Sequence, residues 1–330
     1  MLRSGNCGGI VACKNKNHPM LKRLTTALAR AWRILRGYTA AGSRVPLWIL
    51  GSSLYEAPGR FIKRTYSNDA GTRAYKVYLP AGYRRQALPL VVMLHGCKQT
   101  PDDFAVGTRM NELADELKFL VVYPAQASSA NYSRCWNWFR PHDQRRDGGE
   151  PSLIAGITRQ VIERYKVDSR RVYIAGISAG GAMAGVMAAT YPDLYAAAGI
   201  HSGLPYASAR DAVSAIAAMS GQRRDAASLL PSVPTIVFHG DRDTTVQHRK
   251  GDYAIAGVRQ NSESGEAGGR AYTRTIYSGA KAAVEHWLVH GAGHAWSGGN
   301  ASAPYADAKG PNATREMLRF FLHGPARSGL

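Results

Sequence analysis

The sequence predicts an α/β fold, with a mostly parallel central sheet flanked by helices. Three observations carry this reading. From about Arg73 onward, short apolar runs bounded by Gly and Pro alternate with stretches of helical spacing, the pattern of a sheet with crossover helices. Several of the runs, such as Leu88–Leu94, are continuously apolar, as expected of strands buried on both faces. Finally, the run Arg171–Ile177 passes through Gly176-Ile177-Ser178-Ala179-Gly180 straight into an Ala/Met-rich helical stretch. That is G-x-S-x-G in the strand–turn–helix setting that gives the motif its meaning. With 330 residues, 45% of them hydrophobic and 20% charged, the chain is long enough for one large α/β domain with a full core.

The elements follow in order. Residues 1–19 are polar and read as a disordered head; the apolar patch Gly9–Ala12 is too brief for a signal-peptide core. Met20–Arg36 reads as a basic amphipathic helix ending at Gly37. Leu21, Leu24, Leu28, Ala31, Trp32 and Leu35 share one face, and Lys22, Arg23, Arg30, Arg33 and Arg36 populate the rest. Such a helix either docks on its own domain, serves as a targeting segment, or contacts an anionic membrane or a hydrophobic granule surface. Gly37–Asp69 reads as linker. The chain therefore divides into a head (1–19), a basic helix with linker (20–69), a folded domain (70–326) and a short tail (327–330).

Within the folded domain, Ala74–Leu79 alternates as an edge strand, and Leu88–Leu94 is a buried strand leading into His95-Gly96-Cys97. Phe104–Lys118 has helical spacing, and Phe119–Tyr123 is a strand stopped by Pro124. Ala125–Gly149 is a long loop holding Cys135-Trp136-Asn137-Trp138-Phe139. Ser152–Tyr165 is helix, followed by the Gly176–Gly180 turn and the helix Ala179–Thr190. Ala196–Ile200 is a strand, Ala207–Leu230 a helix or cap, and Thr235–Phe238 a strand ending in His239-Gly240-Asp241-Arg242-Asp243. Gly265–Gly269 reads as a flexible loop. Thr273–Tyr277 and Val284–Val289 are strands, the latter running into His290-Gly291-Ala292-Gly293-His294. Asn312–Phe321 closes the domain as a helix.

Charge and cysteine usage narrow the function classes. Lys+Arg 42 against Asp+Glu 23 gives a net +19, a balance that invites anionic partners. Its distribution argues otherwise: Met1–Ala70 carries 12 basic and 2 acidic residues, more than half of the excess. No nucleic-acid-binding motif accompanies it, so no nucleic-acid partner is expected. No run of about 18 apolar residues marks a membrane span. Among the four cysteines no C-x-x-C pair occurs, and no phosphate-binding glycine motif is present, so no metal and no cofactor are expected. Cys97 and Cys135 fall in loops after predicted strands, where they either meet as a disulfide or stay as buried thiols; a disulfide implies an oxidising compartment.

Acyl transfer by a serine needs a base to take its proton and an acid to orient that base. In sites of this strand–turn–helix type the chain order is Ser, then Asp or Glu, then His. Ser178 is the candidate nucleophile. Asp243 is preferred over Asp241 as the acid, because it completes the H-G-x-x-D pattern. His294 is preferred over His290 as the base, because Gly291-Ala292-Gly293 lets the chain swing out of the strand before it. His95, His201 and His239 read as hydrogen-bonded packing residues in a rim position. The oxyanion donors are expected at Ala179, after the nucleophile, and at Cys97, in the loop after an early strand. The aromatic loop around Trp136 and Trp138 reads either as an apolar wall for an acyl chain or as a packing plug. Trp136, Trp138 and Trp296 are the candidate substrate-binding residues.

Five segments together, Leu94–Cys97, Cys135–Phe139, Gly176–Met183, His239–Asp243 and Gly293–Gly299, resemble the polyhydroxybutyrate depolymerase family of esterases, to which feruloyl and acetyl xylan esterases are related. The resemblance spans roughly Arg73–Leu322. It implies an α/β-hydrolase fold and a serine esterase with Ser178, Asp243 and His294 as triad and Cys97 as an oxyanion donor. It also implies a Cys97–Cys135 disulfide and an extracellular or periplasmic setting. The expected substrate is a polymeric or oligomeric 3-hydroxybutyrate ester, with a feruloyl or acetyl xylan ester as the alternative. A non-catalytic granule-binding protein that keeps the fold is a third reading.

Overall fold

The computed structural model describes residues 57–222, 231–248, 259–278 and 282–324. The head, the basic helix Met20–Arg36, the end of the segment Ala207–Leu230 and the tail lie outside the described residues.

Twelve strands and six α-helices are described. β1 (Arg60–Asn68) and β2 (Gly71–Leu79) form a hairpin, followed by β3 (Leu88–Leu94), α1 (Pro101–Thr108), α2 (Met110–Leu117) and β4 (Leu120–Pro124). Next come a short 3-10 turn (Pro141–Gln144), α3 (Gly149–Arg164), β5 (Val167–Ile177), α4 (Ala179–Thr190), β6 (Ala197–His201) and α5 (Ala212–Met219). β7 (Thr235–Gly240), β8 (Arg259–Ala267), β9 (Arg270–Ser278) and β10 (Val284–Val289) complete the main sheet. The small strands β11 (Trp296–Ser297) and β12 (Ala306–Asp307) precede α6 (Ala313–His323).

The sheet runs β1-β2-β4-β3-β5-β6-β7-β10-β9-β8. Its centre, from β4 to β10, is parallel, and both flanks are antiparallel hairpins. The continuously apolar strands sit in the centre: every residue of β4, β6 and β7 is buried. That burial requires helices on both faces, and two apolar clusters result. One packs α3 and α4 against the sheet through Ile154, Ile157, Met183 and Met187; the other packs α1, α2 and α6 through Phe104, Met110, Met317 and Phe320.

Three elements differ from the sequence reading. The expected linker over 37–69 ends early, because Arg60–Asn68 pairs residue for residue with β2. As a consequence β2 is an interior strand, flanked by β1 and β4, and no longer an edge. The Gly265–Gly269 loop is the tip of a long hairpin: β8 runs to Ala267 and β9 begins at Arg270. Helix Phe104–Lys118 is two helices, divided at Arg109, whose φ of 56° breaks the ladder.

Parallel strands point their C-termini the same way, so the loops after β3, β5, β7 and β10 gather on one edge of the sheet. These loops carry Cys97, Ser178, Asp243 and His294.

Candidate active site

Ser178 stands at the junction of β5 and α4 with φ 56° and ψ −124°. A left-handed φ at a residue other than glycine costs energy and persists only where its surroundings over-determine it. Here they do. Ser178 N donates to His201 O at 2.9 Å, and its carbonyl accepts from Ala182 N at 2.9 Å. The flanking glycines are demanded by close backbone approach: a Cβ at Gly180 would lie 2.1 Å from Leu94 O, and one at Gly176 2.3 Å from Gly180 O. Strand β3 thus presses against the start of α4, leaving the serine proud of the sheet edge with the helix N-terminus behind it.

Asp243 and His294 come from the loops after β7 and β10, and His294 Nδ1 lies 2.7 Å from Asp243 Oδ2. The other carboxylate oxygen, Oδ1, accepts from Thr245 N at 2.9 Å and Val246 N at 2.8 Å. Burial alone would raise this carboxyl, but the hydrogen bonds from His294 and Val246 N and the nearby imidazoles hold it below its ordinary value. An ionised carboxylate only accepts, so Nδ1 of His294 is the protonated nitrogen and Nε2 is left to accept a proton.

A second Asp–His pair stands beside the first. Asp241 Oδ2 lies 3.0 Å from His290 Nδ1, Asp241 Oδ1 accepts from Gly291 N at 2.7 Å, and His290 Nε2 meets Thr273 Oγ1 at 2.9 Å. These bonds pin the start of the loop that carries His294. The remaining strand-end histidines are buried, not placed at the rim. His95 Nε2 accepts from Gln126 N at 3.1 Å, His201 Nε2 accepts from Ser297 N at 3.0 Å, and His239 Nε2 donates to Val246 O at 2.8 Å. Burial pushes His95 down to about 4 and His201 to about 3, which keeps both neutral.

Above Ser178 lies a pocket of about 260 Å³. Cys97 and Ala179 both line it, beside Ser178. The Cys97 loop is fixed from several sides. Cys97 is disulfide-bonded to Cys135, Gly96 N donates to Gln99 Oε1 at 2.8 Å, and Trp136 Nε1 donates to His95 O at 3.1 Å. Buried Glu150 anchors the partner loop, accepting from Asn137 N at 2.7 Å, from Asn137 Nδ2 at 2.6 Å and from Gln126 Nε2.

The aromatic residues divide between the two roles the sequence left open. Trp138 and Phe139 line the pocket. Trp136 and Trp296 do not: both are fully buried, and their substrate-facing expectation is corrected to packing. Trp136 braces His95, while Trp296 stacks on His201 at 4.9 Å and donates to Thr314 Oγ1 at 2.9 Å. The sequence reading missed the pocket-lining residues Ala212, Ala215, Ile216 and Met219 of α5, together with Leu204 and Val246. Nothing in the sequence marks them: Ala212–Met219 is nearly all apolar and reads as core, whereas Val213 and Ile216 are 79% and 69% exposed.

An elbow serine, a buried Asp–His pair and two converging backbone loops on a doubly covered parallel sheet define an α/β-hydrolase. The chain belongs to the esterase family described as "Esterase PHB depolymerase", whose family model matches residues 73–276. It is 33% identical over 246 residues to a poly(3-hydroxyalkanoate) depolymerase C from Paucimonas lemoignei, covering 73% of this chain and 58% of that protein. It is 34% identical to feruloyl esterase B of Neurospora crassa, over 52% of this chain and 59% of that protein. The chain thus spans little more than half the length of these two curated relatives. Among solved structures, an acetyl xylan esterase from Aspergillus awamori matches with a TM-score of 0.60 at 21% identity, over 72% of this chain and 94% of that one. An S-formylglutathione hydrolase from Agrobacterium tumefaciens matches with a TM-score of 0.52 at 15% identity, over 73% of this chain and 90% of that one. These two likenesses bear on the fold.

Proposed function

We propose that this chain is a serine carboxylesterase that hydrolyses short-chain 3-hydroxyalkanoate esters, polymeric or oligomeric, through an acyl-enzyme. The observation that carries the reading is the 2.7 Å contact of His294 Nδ1 with ionised Asp243, beside an elbow serine that opens into an apolar pocket. His294 Nε2 takes the Ser178 proton as Oγ bonds to the ester carbonyl carbon. The resulting oxyanion faces the N–H groups of Cys97 and Ala179, each worth about 3 kcal/mol of transition-state stabilisation. Collapse breaks the ester C–O bond, and His294 returns the proton to the leaving alkoxide. Water, deprotonated by the same imidazole, then releases the acid.

The family and the depolymerase relative support the hydroxyalkanoate substrate. A feruloyl or acetyl xylan ester is the second reading, supported by the relatives that carry those names. The Cys97–Cys135 disulfide supports a periplasmic or extracellular setting, since such bonds persist in oxidising compartments. Contact of Met20–Arg36 with a granule or anionic surface belongs to the same proposal, and cosedimentation of the full chain with polyhydroxybutyrate granules tests it. The central test is hydrolysis of p-nitrophenyl butyrate and of a 3-hydroxybutyrate oligomer by the wild type and by Ser178→Ala. Loss of both activities by several orders of magnitude is expected. A folded wild type that cleaves neither ester overturns the hydroxyalkanoate reading, and one that also fails on feruloyl and acetyl esters returns the chain to the non-catalytic reading.

A further inference from the structure

The peptide between Gly96 and Cys97 carries an N–H proposed to meet the oxyanion. In a trans peptide the N–H points opposite the C=O, so whatever holds Gly96 O sets the aim of Cys97 N. Gln126 N donates to His95 Nε2 at 3.1 Å, so the neutral imidazole carries its proton on Nδ1 and donates it to Gly96 O at 2.8 Å. Gln99 grips the same glycine from both sides. Its backbone N donates to Gly96 O at 3.3 Å, and its side-chain Oε1 accepts from Gly96 N at 2.8 Å. The fit is close: a Cβ on Gly96 would stand 3.1 Å from Gln99 Oε1 and 3.3 Å from Ile177 Cγ2. The other end of the Gln99 amide reaches a different loop, where Nε2 donates to Pro304 O at 2.9 Å, 205 residues away in sequence. The next residue, Tyr305, has its carbonyl fixed by Trp296 N at 2.8 Å, and its ring meets that of His294 edge-on at 6.4 Å. Gln99 is 2% exposed, so these partners and not bulk water satisfy its amide.

We infer that Gln99 is a positioning residue, which aims the Cys97 N–H at the oxyanion and ties that loop to the one whose Tyr305 meets His294. The inference rests on the esterase reading above. Without the side-chain amide, Gly96 N and Pro304 O both lose a partner, and the Gly96–Cys97 peptide is held by its carbonyl alone. Rotation of that peptide swings the N–H away from the oxyanion and leaves Ser178, Asp243 and His294 where they are. A hydrogen bond weakens steeply as it bends, and this donor matters most when the carbonyl oxygen becomes charged. Gln99 touches no reacting atom, so its effect on the reaction passes entirely through this peptide.

The test compares the wild type, Gln99→Met and Gln99→Glu, using p-nitrophenyl butyrate as substrate and 1-butaneboronic acid as inhibitor. The boron bonds to Ser178 Oγ while His294 takes the hydroxyl proton, and a boron-bound oxygen then stands where the oxyanion forms. Gln99→Met keeps the volume and removes both side-chain bonds. It is expected to lower kcat/KM about ten- to thirtyfold, less than the roughly 10²- to 10³-fold that follows deletion of an oxyanion donor, and to weaken the boronate by the same factor. A merely structural role lowers the melting temperature without moving these two in step. Gln99→Glu keeps an acceptor for Gly96 N, and only its protonated form donates to Pro304 O. Its kcat/KM, taken relative to the wild type at each pH, is therefore expected to rise from about pH 8 to about pH 6. A folded Gln99→Met that retains more than half of the wild-type kcat/KM, or that loses activity with the boronate unweakened, overturns the inference. So does a Gln99→Glu enzyme as slow as Gln99→Met throughout. If Gln99→Met does not fold, Gln99→Glu decides: boronate affinity and kcat/KM that do not move together across that pH range overturn the inference. Wild-type hydrolysis no faster than that of Ser178→Ala overturns the esterase reading itself.

Discussion

Replacing Asp243 by Asn removes one charge and almost no volume, and the structure dictates what must follow. The Asn side chain has two orientations. In the first, Oδ1 keeps the bonds from Thr245 N (2.9 Å) and Val246 N (2.8 Å), and an NH2 group takes the place of Oδ2, 2.7 Å from His294 Nδ1. Two donors cannot face each other at that distance, so the imidazole must carry its proton on Nε2, where it is no longer able to accept from Ser178. In the second orientation the amide flips, preserving the His294 bond but setting NH2 against two backbone N–H groups. Each of those groups then loses a buried acceptor at about 1–3 kcal/mol, so the flip is disfavoured by roughly 2–6 kcal/mol. The wrong tautomer therefore dominates. The expected loss is about 10⁴-fold in kcat, near 5.5 kcal/mol of barrier, with KM changed little. The assay is p-nitrophenyl butyrate hydrolysis from pH 6 to 10, with a thermal melt on the same samples. Asp241→Asn is the comparison, because Asp241 serves His290 and touches neither Ser178 nor His294; it is expected to cost at most about tenfold. A loss below tenfold for Asp243→Asn with a native melt, or equal losses for the two variants, would refute the assignment of Asp243 as the orienting acid.

Acid should weaken the fold before it titrates the carboxylates. Burial lowers His95 to about 4 and His201 and His286 to about 3, against about 6.5 when exposed, so the unfolded chain takes up these protons first. Their stability contribution is complete above about pH 6.5 and is lost as the pH falls through 5 toward 4, at up to about 4 kcal/mol per pH unit; urea midpoints that stay flat from pH 7 to pH 4.5 contradict this. Cys97 and Cys135 close a loop with a sequence separation of 38, worth about 4 kcal/mol on the chain-entropy scale. Cys97→Ala/Cys135→Ala is therefore expected to lower the melting temperature by about 10 °C, and a melt unchanged both in this variant and under reductant argues that the disulfide is not a stabilising link.

The sheet edge that carries the candidate site was legible because each of its parts has a local chemical requirement. Gly176 and Gly180 mark the elbow since no Cβ fits against Gly180 O and Leu94 O. The H-G-x-x-D and G-x-G-H spacings place Asp243 and His294 at the ends of buried strands, and the continuous apolar runs of β3, β4 and β7 report strands covered on both faces. The outer strands lack any such requirement. β8, whose residues are mostly exposed, has the composition of a loop and is a strand only because β9 supplies its hydrogen bonds. β1 lay hidden for the related reason that its alternation is half-buried; the Asn68-Asp69-Ala70-Gly71 turn, with Ala70 N donating to Asn68 Oδ1 at 2.9 Å, was the signal that marks the hairpin.

The same reasoning explains why the pocket was half read. Trp136 and Trp138 sit two residues apart in one loop, and composition assigns them one role. The structure separates them through the indole N–H of Trp136, which finds a buried acceptor in His95 O and turns that ring inward to brace the Cys97 loop. Trp138 is left to face the pocket with Phe139. Apart from Ser214, α5 is built from Ala, Val, Ile and Met, which read equally well as core. Nothing in their identity says that Ile216 stays largely exposed while also lining the cavity. Reaction chemistry is thus written in residues whose substitution is forbidden at a point. Acyl-group selection is written in an apolar surface, where Leu, Ile and Met exchange at small cost to the fold. A substrate change within this architecture therefore needs no change at Ser178, Asp243 or His294.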